Sequence, residues 1–368
     1  MSITIAQVRS ALRTVTDSPQ AGDAGGGQAL DRLVKDADIV IDGEAVSVSV
    51  ALGYPAGWAA PCVEKAARDA LHAAGIARAE VTISWAVKPH AVQRALRPLS
   101  NVRNIIAVAS GKGGVGKSTT AANLALALSA DGAKVGLLDA DIYGPSVPAM
   151  LGITGRPVSH DNKTMEPLQG HGLQANSIGF LIDADAPAIW RGAMVTRAFE
   201  QMLRQTNWGD LDYLIVDMPP GTGDLALTLA QKVPVVGAVI VTTPQDLALL
   251  DARKGLRMFQ KVDVPVLGVI ENMAVHLCSH CGHAEHIFGE GGGQRMAQEV
   301  NVPWLGSLPL AKTIREQADA GRPTVIADPD SEAAHHYRDI ARRLARAVAA
   351  LPPDRAGKLP PVVVQAAG

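Results

Sequence analysis

The chain lacks several features that would place it in common protein classes. Its three cysteines are too few for a disulfide framework in 368 residues, so a reducing cytoplasm is the expected compartment. No apolar run is long enough for a membrane span. Met1-Ser-Ile-Thr-Ile-Ala6 shows no charged region followed by a long apolar stretch, so no signal peptide is expected. Thirty-four basic and 36 acidic residues nearly cancel, and no long basic run occurs, which argues against nucleic acid as a partner. No internal repeat is visible. What is plentiful is apolar surface: 47% of the residues, enough at this length for two domains or one large domain with a small companion.

One segment stands out chemically. Gly111-Lys-Gly-Gly-Val-Gly-Lys-Ser-Thr119 fits the phosphate-loop pattern G-x-x-x-x-G-K-[ST]. The setting also fits, because Asn104 to Ser110 reads as a buried strand and Ser118 to Ala130 as a helix. Glycines let the backbone wrap around phosphates with N–H groups pointing inward, and the helix adds its N-terminal partial positive charge. The candidate ATP-binding residues are therefore Gly111, Lys112, Gly113, Gly114, Val115, Gly116, Lys117, Ser118 and Thr119. Lys117 is expected to reach the β- and γ-phosphates and Ser118 to ligate Mg²⁺. Lys112 is not required by the pattern.

The chain divides by pattern into four parts. Residues 1–90 read α-β-β-α-β, a small α+β domain, with a hairpin signal at Asp42-Gly43-Glu44 and a flexible loop at Gly22–Gly27. Residues 91–103 read as a linker and 352–368 as a loose tail. Over 104–351 strands alternate with helices, the pattern of an α/β fold with a mostly parallel, doubly wound sheet. Strands are expected near 105–109, 135–139, 213–217, 236–242, 266–271 and 303–308. Helices are expected near 118–130, 190–205, 247–260, 292–300, 312–320 and 332–350.

Two strand ends extend the nucleotide reading. Val135 to Asp141 ends in Asp139 and Asp141, and Leu214 to Asp224 carries Asp217 at the carboxyl end of its strand. Open α/β sheets bind ligands there, and a carboxylate can hold Mg²⁺ directly or through water. Asp139 and Asp217 join Ser118 as candidate Mg²⁺ residues; Asp224 reads as a cap or turn residue. Gly268-Val-Ile-Glu-Asn-Met273 lacks the Asn-Lys-x-Asp of guanine-specific relatives, which favours ATP and makes Asn272 a candidate adenine contact.

A second chemical feature is His276-Leu-Cys-Ser-His-Cys-Gly-His-Ala-Glu-His286. A C-x-x-C pair followed by glycine points two thiolates at one ion. Three functional readings stay open beside that of two unligated cysteines: a mononuclear Zn²⁺ site completed by His283 and His286, a redox dithiol, or half of a Cys₄ site shared by two subunits. Cys62 follows Pro61 at a predicted helix start and stands apart from the pair.

Together these motifs resemble the Mrp/ApbC-like P-loop ATPases, carriers of iron–sulfur clusters. The segments that carry the resemblance are Gly111–Thr119, Asp139–Ser146, Asp217–Asp224, Thr242–Asp246, Glu271–Met273, Cys278 with Cys281, Phe288–Gly293 and Leu308–Leu310. The resemblance implies a deviant, MinD-like phosphate loop, in which Lys112 crosses a homodimer interface to the other subunit's nucleotide. It implies Lys112, Lys117 and Asp141 as catalytic residues, with Asp141 orienting the attacking water. It further implies that Cys278 and Cys281 join their symmetry mates around one [4Fe–4S] cluster, with apo iron–sulfur proteins as acceptors and scaffold proteins as donors. Residues 1–90 are similar to the small cluster-assembly domain often found ahead of this ATPase. Two departures are Asp17-Ser-Pro-Gln20, where that domain has Asp-Pro-Glu, and the placement of Cys62. A MinD/ParA-like positioning ATPase and a zinc-containing metal-insertion NTPase are the alternatives.

Overall fold

The computed structural model describes residues 3–18, 27–93, 96–182, 192–278 and 280–354. Most of the expected Gly22–Gly27 loop, the start of the helix expected from 190, and the tail beyond 354 lie outside the described residues.

The N-terminal unit is a three-stranded sheet under helices. Its helices are α1 (Ile5–Leu12), α2 (Leu30–Leu33) and α3 (Ala60–Ala73). Strands β1 (Ile39–Asp42) and β2 (Ala45–Leu52) form the antiparallel hairpin that Asp42-Gly43-Glu44 predicts. β3 (Arg78–Trp85) returns parallel to β2 over the crossover helix α3. Alternation along β2 puts Val46, Val48, Val50 and Leu52 inside and leaves its serines outside, the mark of a half-buried strand.

The second sheet has eight strands. In chain order they are β4 (Val102–Ser110), β5 (Val135–Asp139), β6 (Leu168–Gly170), β7 (Leu173–Ser177), β8 (Leu211–Asp217), β9 (Gly237–Thr242), β10 (Val266–Glu271) and, after a separate two-strand hairpin β11 (His276–Leu277) and β12 (Ala284–Glu285), β13 (Trp304–Ser307). Their spatial order is β13-β10-β9-β4-β8-β5-β7-β6. Every pairing is parallel except the edge pair β6–β7. The central strands are continuous apolar runs because helices cover both faces. Those helices are α4 (Lys117–Ala130), α5 (Val147–Met150), α6 (Gly192–Gln205), α7 (Asp224–Lys232), α8 (Asp246–Lys261), α9 (Gly292–Glu299), α10 (Lys312–Asp319), α11 (Thr324–Ala327) and α12 (Glu332–Ala349). Asp224 opens α7, where a carboxylate favours the helix dipole.

The two units share one apolar core, which runs from Val8 and Leu71 to Leu124 on α4 and Tyr337 on α12. The connecting segment is pinned as well: Ala91 N–H donates to Pro352 O at 3.1 Å, and His90 Nδ1–H donates to Asn104 Oδ1 at 2.9 Å. Arg342 of α12 ties the units together. Its guanidinium lies 4.0 Å from the centre of the Trp58 ring and reaches both oxygens of Asp131, at 3.0 and 3.2 Å. Asp131 caps the C-terminus of α4, so the helix that starts in the phosphate loop ends against this junction.

Candidate functional site

The carboxyl ends of β4, β5, β8 and β10 converge on a cavity of about 610 Å³. It is lined by the phosphate loop together with Asp141, Met150, Asn272, Met273 and the stretch from Pro309 to Asp319.

Two glycines of the loop are dictated by contact. A Cβ on Gly111 would lie 2.1 Å from the backbone of Asp251, so the loop presses directly on α8. Gly116 has φ +79°, and a Cβ there would lie 2.2 Å from Asn272 Nδ2. That same nitrogen donates to Val115 O at 2.8 Å. Asn272 therefore clamps the loop while facing the cavity, a task the sequence does not reveal.

Lys117 is buried and donates to Asp217 Oδ1 at 2.5 Å and to Ser118 Oγ at 3.2 Å. Asp217 Oδ2 is buried without a partner. Asp139 is also fully buried, but its oxygens are occupied. They accept from the N–H groups of Asp141, Ser146 and Val147 and from Ser177 Oγ at 3.0–3.2 Å. Neither Asp139 nor Asp217 lines the cavity; Asp217 sits behind it, against Lys117, which does. Burial, reinforced by the nearby Asp217 carboxylate, pushes the pKa of Asp139 up to about 7. Asp141 does line the cavity; desolvation raises its pKa, and Lys117 partly offsets this. Lys112 is half-buried and not part of the cavity wall; its carbonyl accepts from Ser110 Oγ at 2.9 Å.

The cysteines sit on the β11–β12 hairpin, which grows from the end of β10. Cys278 N–H donates to His283 O at 2.9 Å, and Gly282, at φ +72°, donates back to Cys278 O at 2.8 Å. Backbone N–H groups of Cys281 and His280, and the Cys281 side chain, lower the Cys278 thiol pKa, which favours the ligating thiolate. The mononuclear reading with His283 and His286 finds no assembled set: His286 Nδ1–H donates to Ala274 O at 2.8 Å, and among the described residues no three His, Cys, Asp or Glu side chains converge as metal ligands. Cys62 is exposed at the start of α3 in the other unit, remote from the pair in the chain.

A family model described as "NUBPL iron-transfer P-loop NTPase" matches residues 101–345. The chain belongs to this family. Residues 5–84 match a second model, described as "Iron-sulfur cluster assembly protein". A Pseudomonas fragi protein named iron-sulfur cluster carrier protein is 62% identical over 269 residues, 73% of this chain and 94% of the relative. The solved nucleotide-binding protein of Archaeoglobus fulgidus, in complex with ADP, is 36% identical with a TM-score of 0.56, covering 64% of this chain and 91% of that one. The Pyrococcus furiosus cell division ATPase MinD, 23% identical, shares the fold with a TM-score of 0.50 over 66% of this chain and 98% of its own. The α/β reading with a MinD-like phosphate-loop sheet and a small preceding domain is thereby shown.

In this NUBPL-type NTPase several contacts have a role that the motifs do not predict, and two of them, from Ser177 and Ile314, come from residues outside every motif. Ser177 holds Asp139, Leu310 and Ile314 wall the cavity, and Glu271 accepts from Gly293 N–H to anchor α9. Each is a contact between segments far apart in the chain, which local pattern does not encode.

Proposed function

We propose that this chain is a homodimeric, ATP-dependent carrier that holds a [4Fe–4S] cluster between two cysteine pairs and passes it to apo iron–sulfur proteins. One observation carries the reading. Two thiols, without a third ligand among the described residues, are mounted on a hairpin whose stem, β10, ends at the wall of the nucleotide cavity. Two thiolates are half of the Cys₄ set that such clusters take. The carrier name borne by the Pseudomonas fragi relative supports it.

Gly111 to Thr119 cradle the phosphates of ATP, and Lys117 leaves Asp217 for the β- and γ-phosphates. The Asp217 carboxylate, whose Oδ2 is orphaned, and the Ser118 hydroxyl both contact Lys117 Nζ; as hard oxygen donors they fit Mg²⁺, so these two residues would hold it. Bound there, Mg²⁺ neutralises charge on the phosphate oxygens. Asp139 contributes by fixing the turn that carries Asp141, or through an intervening water. Asp141 orients the water that attacks the γ-phosphate, giving ADP and phosphate. Asn272 shapes the loop and borders the base.

Lys112, outside its own cavity wall, reaches the nucleotide of a second copy. Leu247 and Leu250 on α8, with Leu277 and Ile287 beside the cysteines, are 46–74% exposed and supply apolar surface for that copy to cover. Scaffold proteins act as donors, in the cytoplasm, with neither membrane nor nucleic acid as partner. A MinD/ParA-like positioning role would use the same loop and Lys112 but leave the cysteine pair idle.

The test is anaerobic reconstitution with iron and sulfide. The wild type should gain cluster absorbance and activate an apo acceptor enzyme, and Cys278→Ala or Cys281→Ala should do neither. Full cluster in both variants would overturn the assignment.

A further inference from the structure

The cysteine hairpin is nearly all loop. β11 and β12 pair through two residue pairs only, His276 with Glu285 and Leu277 with Ala284. A ladder that short does not hold itself in place, so the pose of the thiols depends on the anchors at its base. Behind the hairpin, His286 is tied to Ala274 O. In front of it, three bonds stitch residues 274–276 to residues 308–310. Ala274 N–H donates to Leu308 O at 3.0 Å, and Leu310 N–H donates to Val275 O at 2.8 Å. The third is a side-chain bond: His276 Nδ1 lies 3.0 Å from Leu310 O. A carbonyl only accepts, so Nδ1 carries the proton and donates.

Leu310 matters because it lines the nucleotide cavity, together with Met273 on the hairpin's own stem. The His276 bond therefore joins the cavity wall to a position two residues before Cys278. It is also the one of the three that a side-chain substitution removes.

We propose that His276 is a positioning residue: its bond to Leu310 couples the cysteine hairpin to the cavity wall, so that bound nucleotide sets how Cys278 and Cys281 are presented. The inference rests on the cavity being the nucleotide site and deepens that reading. The path is short and physical. A base seated against Met273 and Leu310 moves the 308–310 segment, and His276 carries that movement into the turn that holds the thiols.

Alkylation of the cluster-free, reduced full-length protein tests this. N-ethylmaleimide labelling of each cysteine is followed by mass spectrometry, with and without ADP or a non-hydrolysable ATP analogue. Cys62, exposed on the other unit, is the internal reference. In the wild type, nucleotide should change the labelling rates of Cys278 and Cys281 by about fivefold, what one net hydrogen bond shifts in an equilibrium, and leave Cys62 unchanged. His276→Phe should bind ADP as well as the wild type yet lose the nucleotide effect. His276→Asn, whose amide N–H can replace the Nδ1 donor, should keep it. A nucleotide effect that survives in His276→Phe overturns the inference, and so does a wild type whose pair ignores nucleotide. Should the phenylalanine variant fail to fold, His276→Ala is judged by the same two outcomes. Neither negative result touches the carrier reading, which reconstitution tests without nucleotide.

Discussion

Lys117 and Asp217 form an ion pair at 2.5 Å with side chains only 5% and 0% exposed. The lysine that should bind phosphate is thus held by the carboxylate that should help hold the metal. Breaking a buried pair by removing one partner leaves an uncompensated charge. Lys117→Ala is therefore expected to lower unfolding free energy by about 3–5 kcal/mol and to abolish ATP binding. Denaturant titration and a fluorescent-nucleotide titration on the same preparation check both effects.

Lys112 has a different expected signature. It stands outside the cavity wall of its own chain, so Lys112→Ala should leave ATP affinity nearly intact and reduce hydrolysis by at least about tenfold, the scale of a charge acting only in the transition state. Mixed dimers with a hydrolysis-dead Asp141→Asn partner would then regain activity at one of the two sites. Equal losses of binding and hydrolysis in Lys112→Ala would contradict a role across the interface.

Asp139 gives the apo protein a pH signature. In the unfolded chain the group ionises near 3.8, whereas the folded protein keeps its proton up to about 7. The folded state binds more protons between those values, so this contribution to stability is complete below about pH 4, is lost as pH rises toward 7, and is flat above. Asp139→Asn keeps one acceptor oxygen and removes the titration. Its unfolding free energy should fall less than that of the wild type between about pH 5 and 7.5, as read by denaturant melts at matched ionic strength. An identical slope in the two proteins would exclude Asp139 as the source.

Arg342 predicts how the two units are joined. It stacks on Trp58 and pairs with Asp131, whose pKa burial raises against the pull of the arginine. Arg342→Ala should cost about 2–4 kcal/mol through the stranded Asp131 and the lost cation–π contact. Trp58 emission should shift to the red. Arg342→Lys should recover little, since an ammonium cannot span both carboxylate oxygens.

How much of this was legible in the sequence follows from what is local. The phosphate loop and the six strands expected for the large sheet are written in contiguous apolar runs and glycine spacing, and each has a counterpart in the eight-stranded sheet. The edge pair β6–β7 was not legible, because Leu168–Gly170 and Leu173–Ser177 are short and mix Gln, Asn and Gly with apolar residues. α7 was hidden by the Pro-Pro-Gly-Thr-Gly run that precedes it, which reads as turn. At the site, residue types were readable but their allocation was not. Asp139 and Asp217 look alike as strand-end aspartates, and only the distant Ser177 and the 146–147 turn reveal that one is saturated while the other keeps a free oxygen. Asn272 is another case, since its grip on Val115 spans 157 positions.

The central claim is that Cys278 and Cys281 are half of one cluster site. The most direct measurement is native mass spectrometry of protein purified without oxygen, with iron, sulfide and zinc assayed on the same sample. The account predicts a dimer carrying about four irons and four sulfides per two chains, lost together when either cysteine is replaced. A monomer with one zinc and no sulfide would contradict it.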